Sequence, residues 1–148
     1  MIRYTESLDG VTAEMLDGFF TGWRSPRTPK EHLAILRGSD RVILAIDDEG
    51  NRVVGFVTAL TDGVQAAFIP LLEVLPDTQR GGVGSELMRR MLDGLRPIPC
   101  VDLTCDPHLQ PFYEQFGMAR SVGMILRRNG SASELDSGTP EEGRHRAT

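Results

Sequence analysis

A chain of 148 residues, 40% hydrophobic and 25% charged, is long enough to bury one core and points to a single domain. Its formal net charge of -5 leaves no broad basic footprint for nucleic acid, and no run approaches the roughly 20 consecutive apolar residues of a membrane span. The opening Met1-Ile2-Arg3-Tyr4-Thr5-Glu6 lacks the apolar core of a signal peptide, so a cytoplasmic protein is expected, with no nucleic-acid or membrane partner.

Met1 to Thr5 reads as a short strand. After the Asp9-Gly10 turn, Thr12 is placed to cap a first helix on which Met15, Leu16, Phe19, Phe20 and Trp23 recur at helical spacing. Ser25-Pro26-Arg27-Thr28-Pro29 breaks the chain and starts a second helix with His32, Leu33, Ile35 and Leu36, which Gly38 stops. His32 is expected at the surface or in packing, since nothing in the sequence pairs with it. Arg41 to Ile46 and Val53 to Leu60 are β-branched runs around Asp47-Asp48-Glu49-Gly50-Asn51, a tight hairpin turn.

Val64 to Leu75 is a further strand in which Pro70 removes a ladder donor, so an irregularity is expected there. Glu73 stands between Leu72 and Val74. A lone carboxylate is costly to bury unless paired or neutral, so it either reaches a solvated cleft or serves a purpose. Leu87, Met88, Met91, Leu92 and Leu95 line one side of the next helix, opposite Glu86, Arg89, Arg90 and Asp93. Arg96-Pro97-Ile98-Pro99 ends it. Cys100 to Cys105 reads as a strand, with both cysteines taken as reduced, buried thiols. His32, His108 and His145 form no spaced ligand set with them, so no metal is expected. Asp106-Pro107 opens a short helix, Phe112 to Phe116, closed by Gly117, and a last strand pair is expected over Met118 to Arg128. Beyond Asn129, Gly, Ser, Glu, Pro and Thr dominate, the composition of a disordered tail over 129–148.

Between the strand and the amphipathic helix lies Val74-Leu-Pro-Asp-Thr-Gln-Arg-Gly-Gly-Val-Gly-Ser-Glu-Leu87. The first amides of a helix have no internal partners, the helix dipole places partial positive charge there, and glycine lets a ligand approach the backbone. The stretch therefore reads as a phosphate cradle. No lysine follows the glycines as a Walker loop requires, and Leu87 stands where the dinucleotide fingerprint needs its third glycine. What fits is Gln79-x-x-Gly82-x-Gly84 preceded by Val74-x-Pro76, which resembles the acetyl-coenzyme A (acetyl-CoA) signature of the GNAT N-acetyltransferase family. A second match, Phe112-Tyr113-Glu114-Gln115-Phe116-Gly117-Met118, is similar to the family's Phe-Tyr-x-x-x-Gly-Phe segment, with Met118 in place of the last aromatic.

The resemblance implies a mixed α/β acyl-CoA N-acyltransferase fold over 1–128: a central, mostly antiparallel, splayed sheet flanked by helices. It implies that backbone amides of Gln79, Arg80, Gly81, Gly82, Val83, Gly84 and Ser85 hold the coenzyme pyrophosphate. Val74 and Leu75 would offer main-chain groups to the pantetheine arm. Arg80 could add charge to a phosphate, and Asp106 lies where the family often has a polar residue near the pantetheine. Both also have plain readings, a solvated arginine and a turn-forming Asp before Pro. An alkyl amine with a pKa near 10.4 is mostly protonated at pH 7, a penalty on the order of 4 to 5 kcal/mol that a base or a desolvating groove must offset. By resemblance, Glu73 is the candidate base, a backbone amide near Leu75 the oxyanion donor, and Tyr113 the acid that protonates the departing thiolate. The acceptor stays open among polyamine, aminoglycoside, amino acid, peptide N-terminus and protein lysine, and a homodimer through the last strands is allowed without being demanded. The competing reading keeps the same fold as a non-catalytic acyl-CoA sensor or interaction module.

Overall fold

The computed structural model describes residues 1–128, so the tail expected over 129–148 lies outside the described residues. Five strands form one sheet in the order β1-β2-β3-β4-β5: β1 (Ile2–Thr5), β2 (Arg41–Asp47), β3 (Arg52–Thr61), β4 (Ala66–Val74) and β5 (Cys100–Asp102). The first four pair antiparallel and β5 joins β4 in parallel. Helix α1 (Pro29–Gly38) packs on one face and α2 (Val83–Gly94) on the other, and a short α3 (Gln110–Glu114) follows β5.

The central strands are buried on both sides. Val42 to Ile46 and Val53 to Ala59 are continuous buried runs, as a sheet covered by helices requires. Phe56 marks the α1 face, packing edge-on against Phe19. Gly55 marks the α2 face, where an added Cβ would stand 3.1 Å from Leu87 and 3.2 Å from Val83. Between Thr58, opposite Leu71, and Leu60, opposite Phe68, the single residue Ala59 faces both Ile69 and Pro70. Proline's missing N–H therefore falls in a bulge, as its place in the strand leads one to expect. A capping box starts α1: the Thr28 hydroxyl accepts from the Glu31 amide and the Glu31 carboxylate accepts from the Thr28 amide, both at 3.1 Å.

Three expectations are corrected. The expected first helix is only a 3-10 turn, Ala13–Leu16, and Thr12 makes no side-chain cap. Downstream the chain loops, with Gly18, Phe20 and Gly22 at φ of 95°, 61° and 76°. Glycines at 18 and 22 let the backbone bend so that both Phe19 and Phe20 turn inward, and burial of the rings overrides their helical spacing. The expected last strand pair is absent among the described residues: residues 119–128 are exposed, with Val122 and Met124 at 98% and 97%. β5, at that end of the sheet, is three residues long, and no described residue after it adds a strand. Finally, both thiols are free, but Cys100 is exposed and Cys105 half-buried, because β5 ends before Cys105.

Candidate active site

The parallel pairing of β4 and β5 covers Ala66 to Phe68 only. At that point β5 ends, and the β5-side edge of β4 from Ile69 onward carries no strand among the described residues. Which backbone groups face this gap follows from strand parity. The Leu75 amide donates to the Val54 carbonyl at 2.8 Å, so it points toward β3. Of the backbone amides near Leu75 considered as oxyanion donor, that of Leu75 itself is committed to the sheet. Parity turns the groups of Leu72 and Val74 the other way, into the gap. The Val74 carbonyl is taken there by the Gln79 side chain, which donates Nε2–H at 3.0 Å.

That contact ties the strand end to the glycine turn. The Leu75 carbonyl accepts from the amides of Thr78 and Gln79 at 2.9 and 3.1 Å, closing the first bend. Arg80 and Gly82 then adopt φ of 73° and 81°, and α2 begins at Val83. Gly82 brings no capping side chain, and the first intrahelical bond runs from the Glu86 amide to the Gly82 carbonyl. The amides of Val83, Gly84 and Ser85 thus lack helical partners, which is the donor set an anion needs. A left-handed arginine costs on the order of 1 to 2 kcal/mol, and such strain gathers at ligand clamps. The Arg80 side chain is exposed, as are Gly81 and Gly82. Asp106 is half-buried, flanks Cys105 and makes no cap to the turn that follows it.

Tyr113 is 4% exposed and is fixed by its ring neighbour Phe112, whose centroid lies 5.0 Å away at 79°. Phe112 in turn reaches the helix start, since a Cβ on Gly84 would stand 3.8 Å from its ring. Tyr113 lines a cavity of about 870 Å³ with Phe68, Asp102, Cys105, Asp106 and the segment from Met118 onward. Burial pushes its phenol above the usual range, and a neighbouring Cys105 thiolate would push it further. The same burial, with Asp106 beside it, raises the Cys105 thiol. Both groups are therefore neutral donors at pH 7.

Glu73 lies on the α1 face of the sheet. It stands opposite Phe56 and accepts a hydrogen bond from the Phe20 amide at 2.9 Å. It is not among the residues that line the Tyr113 cavity. The carboxylate thus anchors the loop at its strained residue, Phe20. Next to it, His32 is fully buried, its ring 4.3 Å from Phe56 and edge-on to Phe19 and Phe20. Of the two places considered for His32, it occupies packing. Burial holds its pKa down at about 4.

Sequence reading missed three participants: Leu72 as a gap-facing backbone group, Phe20 as the Glu73 partner and Cys105 as the Tyr113 neighbour. Gly18 and Gly22 bracketing Phe20 were a signal for the second. The first and third depend on register and had none. The described residues hold no group of three or more metal-binding side chains and no helix long and apolar enough to cross a membrane.

A mostly antiparallel five-stranded sheet flanked by helices, with an uncapped glycine-rich helix start after its fourth strand, is the fold of an acetyltransferase. The model of the acetyltransferase (GNAT) family matches residues 9–118, and the chain belongs to that family. A crystal structure of a candidate acetyltransferase from Deinococcus radiodurans is 47% identical, superposes with a TM-score of 0.82, and covers 86% of this chain and 88% of its own. A GNAT-family acetyltransferase from Streptococcus pneumoniae is 26% identical at a TM-score of 0.60, covering 88% and 98%. Glucosamine-6-phosphate N-acetyltransferase from Arabidopsis thaliana shares the fold at 15% identity and a TM-score of 0.63, covering 86% and 97%. No curated protein sequence matches the chain.

Proposed function

We propose that the protein is an acetyl-CoA-dependent N-acetyltransferase that acetylates a primary amine by direct attack, in the cytoplasm. The observation that carries the reading is Tyr113, buried and lining the cavity along β5, with its ring neighbour Phe112 against Gly84 of the cradle. The amides from Gln79 to Ser85 suit the pyrophosphate, and the free edge of β4 at Leu72 and Val74 suits the amide-bearing pantetheine arm as an added strand would.

The acceptor nitrogen attacks the thioester carbonyl carbon, forming a C–N bond while the C–S bond breaks. A gap-facing amide, Leu72 or Val74, stabilises the charge on the carbonyl oxygen. Glu73 is the candidate acceptor of the amine proton, while one of its oxygens holds the Phe20 amide. Tyr113 donates to the departing sulfur. A phenol raised above 10 is a weaker acid than a free thiol of about 8.5, but the same desolvation raises the thiolate's basicity, so the transfer stays near balance.

Tyr113→Phe tests the assignment: coenzyme affinity measured by calorimetry stays near wild type while thiol release falls by about 10²-fold. Unchanged turnover removes Tyr113 from the acid role. Thiol release with any amine distinguishes an enzyme from an acyl-CoA sensor.

A further inference from the structure

We propose that the apolar groove on the α1 face is the acceptor site and that its acceptor is an apolar amino acid, a primary amine on an apolar body that also carries a carboxylate. The inference rests on the acetyl-transfer reading above and names the acceptor that reading leaves open. The groove encloses about 460 Å³ and is walled by Ile35, Leu60, Phe68, Pro70 and Leu71, with Arg127 at its margin. That volume is within the usual range for small-molecule sites of about 300 to 1,000 Å³.

Its position follows from the bulge. Leu60 and Phe68 face each other in register, and both stay exposed beside the Ile69-Pro70 irregularity. Two large apolar side chains on the open face of a buried sheet cost solvation energy unless something covers them. The groove also adjoins the Tyr113 cavity: Phe68 and Arg127 line both. Leu71 and Glu73 lie on the same face two residues apart on β4, about 6 to 7 Å along the strand.

Charge selects the ligand class. Among the described residues, Arg127 is the one charged side chain lining the groove, and it forms no ion pair with a described residue. A guanidinium attracts a carboxylate and repels a polyamine or a lysine-rich peptide. Glu73, on the same face, supplies the negative charge an ammonium needs. An apolar amino acid satisfies all three elements at once: carboxylate to Arg127, side chain to the groove, amine toward Tyr113 and Glu73.

The test measures thiol release at saturating acetyl-CoA with L-phenylalanine, L-leucine, phenethylamine, glycine and spermidine. Phenylalanine and leucine are expected to show KM values at least about tenfold below phenethylamine, which lacks the carboxylate, and glycine, which lacks the apolar body. Arg127→Ala is expected to remove the difference between phenylalanine and phenethylamine. Leu60→Asp, an exposed position, is expected to raise the phenylalanine KM by about tenfold or more. A preference for spermidine, or an Arg127→Ala variant that keeps the wild-type ratio, overturns the acceptor and leaves acetyl transfer standing. No release with any amine, with acetyl-CoA binding intact by calorimetry, overturns both.

Discussion

His32 makes this fold acid-sensitive through one side chain. The imidazole is fully buried among Phe19, Phe20 and Phe56, and neither ring nitrogen has a hydrogen-bond partner among the described residues. Its folded pKa is about 4 against an ordinary 6.5. Between those values the unfolded chain binds a proton that the folded chain refuses, so stability is full above pH 6.5 and falls as the pH drops toward 4. Integrated, the loss is about 2 kcal/mol at pH 5 and about 3 kcal/mol below pH 4, a large part of the 5 to 15 kcal/mol of a typical domain. Urea unfolding of wild type and His32→Met at pH 7.5 and pH 5 isolates the term. The carboxylates held low by hydrogen bonds and arginines, such as Asp62 and Glu86, titrate alike in both chains and cancel in the difference. At pH 7.5 the variant should match or exceed wild type, because methionine has a similar volume and removes a buried N–H worth about 1 to 3 kcal/mol when unpaired. At pH 5 it should be more stable by about 2 kcal/mol relative to that baseline. Equal pH slopes in the two chains would refute the reasoning, since His32 would then be taking up its proton in the folded state at no cost.

The cradle gives two further expectations. Gly82→Asp sets a carboxylate beside the phosphates and should abolish coenzyme binding, whereas Gly82→Ala should cost only the left-handed strain of about 1 to 2 kcal/mol; thermal stabilisation of the Asp variant by acetyl-CoA to the wild-type extent would refute the cradle. Arg80→Gly relieves an observed strain and should gain up to about 1 kcal/mol in denaturant unfolding while weakening coenzyme affinity in calorimetry. At Glu73, alanine leaves the Phe20 amide without its acceptor and should cost about 1 to 3 kcal/mol, while Glu73→Gln keeps an oxygen for it. If Glu73 is also the base, the Gln variant should melt like wild type yet lose the acidic limb of its pH–rate profile; retained turnover and limb would reduce Glu73 to the loop anchor.

What the sequence made legible was whatever depends on neighbours along the chain. The helix start at Thr28-Pro29, the hairpin at Asn51, the Pro70 bulge and the helix start after Gly82 are each closed by contacts a few residues apart, and each stands where residue chemistry puts it. The loop from Asp17 to Trp23 fails that test. Its apolar spacing is helical, but Gly18 sits against Leu75, where an added Cβ would be 3.2 Å from the side chain, and Phe20 is held by Glu73 across 53 positions. A contact of that range leaves no local trace.

The same limit decides which amide can serve the chemistry. Val74 and Leu75 are adjacent and alike in the sequence, yet the Leu75 N–H is spent on Val54 while the Val74 groups face the gap. Parity along a strand is strict, but its phase is set by the partner strand, and the Ile69-Pro70 bulge shifts that phase within β4 itself. The bulge therefore does two jobs at once. It fixes which backbone groups past Leu71 meet the acyl donor, and it holds Leu60 and Phe68 open on the α1 face where an acceptor would lie. Restoring regular pairing by deleting Pro70 would turn Leu71, Leu72 and Glu73 to the opposite faces, so coenzyme binding and any acceptor preference should fail together, while a Pro70→Ala exchange that keeps the residue count should preserve both.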